Sequence, residues 1–164
     1  MTIFVKNKHT LQIDEFKFRC CIGKNGSTRR KIEGDKKTPK GTFEIENLYF
    51  RQDRKQKPPT LLNCIKIKKG MGWCHDTSFP KKYNKLFKIQ KNVKHEKLKR
   101  KDHKYDFLIP IKYNFRRPIT GHGSCIFIHL TKDYKPTAGC IALKEKDFLI
   151  MLKLIKKKSK IKII

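Results

Sequence analysis

The sequence GHGSCIFIHLTKDYKPTAGCIAL runs from Gly121 to Leu143 and contains two short apolar segments joined by one polar loop. The first segment, Ile126–Leu130, is short, apolar and β-branched, which is typical of a buried strand. The segment TKDYKP that follows has turn chemistry and can bring the chain back beside that strand. The stretch therefore predicts a β fold in which His129, at a strand end, lies near Cys140.

The length of the chain, 164 residues, suits one domain with a substantial hydrophobic core. We therefore expect a single domain over residues 1–164. No segment approaches the run of about 20 apolar residues that a membrane-spanning helix needs. The first residues also lack the charged-then-apolar pattern of a secretory signal. From the sequence alone, we expect a soluble protein that is not exported and remains in the cytoplasm.

Positive charge dominates the composition, with 42 Lys and Arg against 14 Asp and Glu, and a net charge of +28. This charge raises the hypothesis of a nucleic-acid-binding or polyanion-binding protein. The lysines are scattered along the whole chain, however, and only eight of the 42 basic residues are Arg, which reads phosphate and guanine with paired donors. We expect nonspecific attraction to polyanions at low salt and no specific nucleic-acid site.

The cysteines number six, at positions 20, 21, 64, 74, 125 and 140, and no two form a C-x-x-C pair. Reduced thiols are the expectation for such spacing. His122 and Cys125, followed by His129 and Cys140, provide an alternative reading as a zinc site. Paired zinc ligands usually lie on a turn rather than along a strand, which disfavours this alternative.

The rest of the chain predicts more strands and one helix. Extended runs over Thr2–Val5 and Leu11–Phe18 predict a hairpin. Further strands are expected at Cys20–Ile22, Phe43–Leu48, Leu61–Ile67, Phe107–Tyr113 and Ile161–Ile164, and Pro110 indicates an edge or a bulge. Apolar residues at helical spacing predict an amphipathic helix from Glu145 to about Lys157.

Two long connections complete the predicted architecture. Between Lys68 and Lys104 the periodicity fails, which predicts a long irregular, lid-like excursion. The segment GDKKTPKGTF, from Gly34 to Phe43, is rich in glycine and contains Pro39, which fixes its own φ and restricts Thr38. We expect this loop to hold one shape and to be more than a connector.

The chemistry of the first stretch depends on two side chains. In a strand, Cys125, Phe127 and His129 project to one side, and a returning segment that ends at Cys140 would lie about 4.8 Å away. The imidazole could then activate the thiol, while the amides of Gly139 and Cys140 donate to a tetrahedral intermediate. The alternative is a small buried cysteine in the core and a hydrogen-bonded structural histidine.

The segments IFIH, ending at His129, and PTAGCIAL, over residues 136–143, resemble the catalytic motif of YkuD-type L,D-transpeptidases. They are similar to a branch with a shortened motif. The more familiar version has Ser or Thr followed by His-Gly-Cys; here Thr137 matches, Ala138 replaces the histidine, and the spacing to His129 contracts. Further pieces follow in that branch's order, namely Gly23–Gly26, Gly34–Phe43, Gly72–Cys74, Tyr105–Asp106 and Tyr113–Asn114.

The resemblance implies a mainly β fold, an L,D-transpeptidase-like β-sandwich or barrel with one C-terminal amphipathic helix. It implies that Cys140 attacks the carbonyl after the third residue of a peptidoglycan stem peptide and that an amine acceptor resolves the thioester. His129 would be the base, and a backbone carbonyl near Gly123 or Leu130 would orient its ring. No metal or organic cofactor is implied, and the substrate implies the periplasm or cell wall.

Two alternatives stay open at this point. An L,D-carboxypeptidase would use water in place of the amine with the same residues. A basic polyanion-binding protein would use His129 and Cys140 only structurally. Other side chains that we expect at the substrate are Thr137, Ala138, Trp73, Arg116, Arg117 and His122.

Overall fold

The computed structural model describes residues 1–164, and its regular structure is fifteen strands and one helix. The strands are β1 (Thr2–Lys6), β2 (Thr10–Ile13), β3 (Phe16–Arg19), β4 (Ser27–Thr28), β5 (Thr38–Pro39), β6 (Gly41–Glu44), β7 (Leu48–Phe50), β8 (Cys64–Lys66), β9 (Met71–Cys74), β10 (Leu86–Lys88), β11 (His95–Lys97), β12 (Phe107–Pro110), β13 (Phe127–Leu130), β14 (Ile141–Leu143) and β15 (Lys160–Ile163). The helix, α1, is Glu145–Leu154, and it is too short to cross a membrane.

Two five-stranded sheets form the body of the fold. The first has the order β3-β2-β1-β15-β6, so the last strand of the chain is inserted beside the first. The second has the order β14-β13-β12-β7-β8, and its β13 lies between β12 and β14. The predicted mainly β fold with one C-terminal helix is confirmed, and neither sheet closes into a barrel.

Both large sheets and the helix contribute to one hydrophobic core of 25 buried residues. In β1 and β15 every second side chain is buried, as expected for strands with one face on a core. In β13 and β14 every side chain is buried. Strands covered on both faces are usually rich in apolar residues, and His129 is the one polar side chain in these two strands.

Several of the predicted elements end earlier than expected, among them the second strand of the hairpin and the helix. The run Leu11–Phe18 splits into β2 and β3, because Asp14 adopts a positive φ of 49° and turns the chain. The helix ends at Leu154 rather than near Lys157, because Ile155 is already extended, with ψ at 155°. The Ser159 hydroxyl then accepts the Lys156 N–H at 2.9 Å and closes the following turn.

The excursion between Lys68 and Lys104 is more regular than predicted. It contains β9, β10 and β11, which form a three-stranded antiparallel sheet with β9 in the centre. Of the two predictions for Pro110, the edge strand is wrong, since β12 is a central strand that pairs with both β7 and β13, whereas the bulge is observed. Between the pairs Leu108–Tyr49 and Ile111–Ile45, two residues of one chain segment oppose three of the other, and a strand proline is tolerated at such a bulge.

Candidate active site

Strand β13 presents different side chains on its two faces, as its sequence predicts. Ile128 and Leu130 point into the 25-residue core. Phe127 belongs to a second cluster of eight buried residues, which also contains Tyr105 and Cys140. Because alternate side chains share a face, His129 points to the same side as Phe127 and thus toward this second cluster.

The Cys140 thiol lies on this face of β13 because β14 runs parallel to β13. The register pairs Ile128 with Ile141, so Cys140, which precedes β14, lies beside Phe127 on the face that also carries His129. The loop after Leu130 therefore does not make a hairpin; the chain crosses over and returns in the same direction. On its other side Ala142 exchanges both backbone hydrogen bonds with Cys21, at 2.9 and 3.0 Å, which holds β14 in place.

The Cys140 thiol has two backbone partners. Its Sγ accepts the Phe127 N–H at 3.4 Å and donates to the Cys125 carbonyl at 3.2 Å. Burial raises the pKa of Cys140 to about 12. The thiol is therefore protonated at neutral pH, and its hydrogen bond runs to a carbonyl rather than to the imidazole.

The imidazole of His129 is fixed from two directions. Nδ1 donates to the Leu130 carbonyl at 2.9 Å, which leaves the Nε2 lone pair free. Of the two carbonyls considered from the sequence, the Leu130 carbonyl is therefore the one that orients the ring. The Tyr105 ring packs edge-on against the imidazole, with 5.4 Å between ring centroids. Burial lowers the pKa of His129 to about 4, so the ring is neutral at neutral pH.

The backbone before Cys140 has a conformation that requires glycine. Gly139 has a φ of 142°, and a Cβ there would lie 2.9 Å from the Lys37 carbonyl oxygen. Thr137 Oγ1 accepts the Gly139 N–H at 3.1 Å and donates to the Cys140 carbonyl at 2.6 Å. The N–H of Cys140 donates to no acceptor, so it is the amide that is free to bind an anionic oxygen.

The Gly34–Phe43 loop supports this backbone directly. The buried Thr38 hydroxyl donates to the Gly139 carbonyl at 2.8 Å and accepts the Gly23 N–H at 2.9 Å. Asp35 closes the loop from within, because its Oδ1 accepts the Lys37 N–H at 2.8 Å. The expectation that this loop has one defined shape thus gains a physical reason.

A cavity of about 760 Å³ opens over the two side chains. Its walls include Cys140, His129, Thr137 and Ala138, which the sequence predicted together. Six basic residues line it, namely Lys31, Lys36, Arg100, Lys104, Lys132 and Lys135. Three carboxylates line it as well, namely Glu33, Glu96 and Asp133. No group of three potential metal ligands occurs in the structure.

Four other predicted contact residues lie outside this cavity. Trp73 is buried behind the site, packs on Phe127 with 5.4 Å between centroids, and donates through Nε1 to Asn84. Arg116 and Arg117 are exposed, as is His122. None of the four lines the cavity that contains Cys140, so their contact with substrate stays a prediction.

Several cavity residues were not predicted from the sequence to belong to the site. Tyr105 and Arg100 lie together, with the guanidinium 5.0 Å from the Tyr105 ring centroid. Arg100 is itself held by Glu96 at 2.7 Å and by both oxygens of Asp102. The resemblance had pointed to Tyr105 only as part of an ordered pair with Asp106, without a role.

Comparison with known proteins places the chain among related folds. The family model YkuD, described as the L,D-transpeptidase catalytic domain, matches residues 1–163. The chain is similar in structure to the helical cell shape determining protein Pgp2 from Campylobacter jejuni, with 18% identity, a TM-score of 0.51, and coverage of 99% of this chain and 46% of that chain. For Bd1075 from Bdellovibrio bacteriovorus, the values are 15%, 0.47, 99% and 47%. The chain thus spans about half the length of these structures, and a comparison with curated proteins gave no match.

Proposed function

Because the chain belongs to the YkuD family of L,D-transpeptidase catalytic domains, we propose that it is a cysteine acyltransferase that acts on peptidoglycan stem peptides. In this proposal Cys140 is the nucleophile and His129 is the general base. One observation carries it: the buried thiol and an imidazole with a free Nε2 lie on the same face of two paired strands, in the wall of one cavity.

The neutral state of both groups suits a concerted first step. Sγ attacks the carbonyl carbon after the third residue of the stem peptide while its proton passes to Nε2 of His129. The thiol donates to Cys125 in the resting protein, so substrate binding has to redirect this proton toward Nε2. The resulting oxyanion accepts a hydrogen bond from the Cys140 N–H, and the Gly139 N–H joins it by leaving Thr137.

Collapse of the tetrahedral intermediate completes the transfer. His129 returns the proton to the nitrogen of the terminal D-amino acid, the C–N bond breaks, and a thioester on Cys140 remains. An amine then attacks the thioester carbonyl, gives its proton to His129, and forms a new amide as the thiol is released. Water in the same position would give a carboxylic acid instead, which is the L,D-carboxypeptidase outcome.

Intact-protein mass spectrometry after incubation with a carbapenem tests the nucleophile. We expect one adduct on the wild type, none on Cys140→Ala, and an unchanged adduct on Cys64→Ala, which removes a thiol outside the cavity. Release of the terminal D-amino acid should fall by at least about 10³-fold in Cys140→Ala. An unmodified wild type, or an adduct that survives in Cys140→Ala, would contradict the proposal.

Two further measurements test the type of acyl transfer and the location of the protein. Chromatography of muropeptides separates a cross-linked product from a shortened tripeptide, and we expect the cross-linked product when an amine acceptor is present. We further propose that the protein acts in the periplasm or cell wall, where the family's substrate lies. Fractionation of the native cell checks this, and recovery only with cytoplasmic markers would argue against it.

A further inference from the structure

One carboxylate in the wall of the active-site cavity has no cationic partner. Three carboxylates line the cavity. Glu96 is paired with Arg100 at 2.7 Å, and Asp133 with Lys135 at 3.2 Å. Glu33 forms no ion pair, although the protein has a net charge of +28. Because lysines are so abundant in this chain, a cavity carboxylate without a cationic partner is a candidate binding group for a cationic ligand.

The Glu33 carboxylate is held in place by neutral donors. Its Oε2 accepts hydrogen bonds from the hydroxyls of Tyr83 and Ser124, the latter at 2.6 Å. Its backbone N–H donates to the Gly121 carbonyl at 2.8 Å, and the Tyr83 hydroxyl in turn accepts the Gly123 N–H at 3.1 Å. Burial and the bond to Glu33 raise the pKa of Tyr83, so this donor keeps its proton. Oε1 is left without a hydrogen-bond partner.

The nearest lysine in the sequence does not neutralise this group. The Lys31 ammonium binds Asp35 Oδ1 at 2.5 Å and the Ile32 carbonyl at 3.1 Å. Ser124 precedes Cys125, whose carbonyl accepts from the Cys140 thiol, so Glu33 is connected to the same wall as the nucleophile. The free oxygen is thus fixed in position, negatively charged and close in the fold to the reacting centre.

We propose that Glu33 is the subsite for a primary ammonium group of the peptide substrate, an inference that rests on the proposed function. An ammonium donates up to three hydrogen bonds and carries a positive charge, so it can serve as the partner that Oε1 lacks. The overall field of a +28 protein repels cations, so a bound ammonium needs a local anion of this kind. The group can come from the side chain of the donor peptide's third residue or from the acceptor.

Peptide binding to a Cys140→Ala protein tests the subsite without turnover. The probes are a stem tetrapeptide with lysine as its third residue and the same peptide with that lysine Nε-acetylated. We expect the free-amine peptide to bind about tenfold more tightly, as for one charge-assisted hydrogen bond in a partly buried site. The preference should weaken as salt is added.

Glu33→Gln in the same background separates charge from structure. The glutamine oxygen can still accept from Tyr83 and Ser124, but the negative charge is gone, so the preference for the free amine should disappear. Glu15→Gln is the matched control, because it removes an exposed carboxylate outside the cavity. Equal affinity for the two peptides excludes the donor's third residue as the source of the ammonium. Equal affinity together with an acceptor KM that Glu33→Gln leaves unchanged, binding of neither peptide, or a preference that survives Glu33→Gln would overturn the subsite.

A second measurement distinguishes the two sources of the ammonium. In the protein that keeps Cys140, with the acetylated donor peptide and a diamine acceptor, Glu33→Gln should raise the acceptor's KM only if Glu33 holds the acceptor. An effect confined to the donor's affinity assigns the subsite to the donor. If binding depends on Glu33 but the wild type releases no D-amino acid, the subsite stands and the proposed function fails; release without any Glu33-dependent preference gives the reverse.

Discussion

Both faces of β13 are buried, but one packs into the hydrophobic core and the other adjoins the candidate active site. On one face, Ile128 and Leu130 are fully buried among aliphatic and aromatic side chains of the main core. On the other face, Phe127 and His129 are also buried, yet His129 lines a cavity with charged walls. A strand of four residues therefore separates the stabilising core from the candidate reaction site.

Burial on the core face stabilises the fold, whereas burial on the cavity face changes the chemistry of ionisable groups. A fully buried aliphatic side chain contributes about 2 kcal/mol through the hydrophobic effect. A buried imidazole or thiol instead loses its charged form, which is why the pKa of His129 falls and that of Cys140 rises. Below neutral pH, therefore, burial on the core face still stabilises the fold, whereas burial of His129 on the cavity face destabilises it.

The largest effect on stability should come from the core face. Ile128→Ala should lower the free energy of unfolding by about 3 kcal/mol, because the site is closed on all sides and cannot collapse around the cavity left behind. Ile128→Val, which removes one methylene, should cost about 1 kcal/mol. Denaturant titration measures both. If Ile128→Ala left stability unchanged but abolished acyl transfer, the division between the two faces would be wrong.

Burial of His129 on the cavity face should make the free energy of unfolding depend on pH. The pKa of His129 is about 4 in the folded protein against 6.5 for the free side chain. Between pH 6.5 and 4 the imidazole is protonated in the unfolded chain but not in the folded protein. The contribution of this residue to the free energy of unfolding is therefore fully present above pH 6.5 and is lost as the pH drops toward 4. The slope from this residue approaches about 1.4 kcal/mol per pH unit.

Substitution of the histidine isolates this contribution. His129→Gln should be less sensitive to acid than the wild type between pH 6.5 and about 4, when unfolding is followed at several pH values. His9→Gln removes an exposed histidine and should keep the wild-type slope. Identical slopes for wild type and His129→Gln would show that the imidazole is hydrated and that the cavity face is not a low-dielectric site.

The sequence was sufficient for the parts of the site that depend on local pattern. Alternation around Phe127 and Ile128 separated the two faces of β13, and the small residues before Cys140 indicated a tight backbone. The need for glycine at position 139 follows from its positive φ and from the approach of Lys37. These features arise within a few residues of one another or from the strand period.

Features that depend on distant contacts could not be read in this way. The direction of β14 is set by its pairing with β13 and by Cys21, more than a hundred positions away. The short strands of the excursion exist because β9 finds partners on both sides, and their composition gives no periodic signal. Glu33 is likewise distant from Ser124 in the chain, so its place in the cavity follows only from the fold.

The smallest effect should come from the ring that covers His129. Tyr105 is nine-tenths buried, and its ring lies 5.4 Å from the imidazole centroid and 5.9 Å from that of Phe127. Tyr105→Leu should lower kcat about tenfold, because the imidazole loses a flat neighbour that fixes its orientation. Water admitted beside the ring should also move the acid limb of the kcat/KM profile upward from about pH 4 toward 6.5.

Tyr105→Phe is the decisive partner for that substitution. It keeps both ring contacts and removes only a hydroxyl that forms no hydrogen bond in the structure, so kcat and the acid limb should stay close to the wild-type values. A loss in Tyr105→Phe as large as in Tyr105→Leu would mean that the hydroxyl itself contacts the reacting atoms. The cavity face would then act through a donated hydrogen bond as well as through the dry, rigid surroundings that distinguish it from the core face.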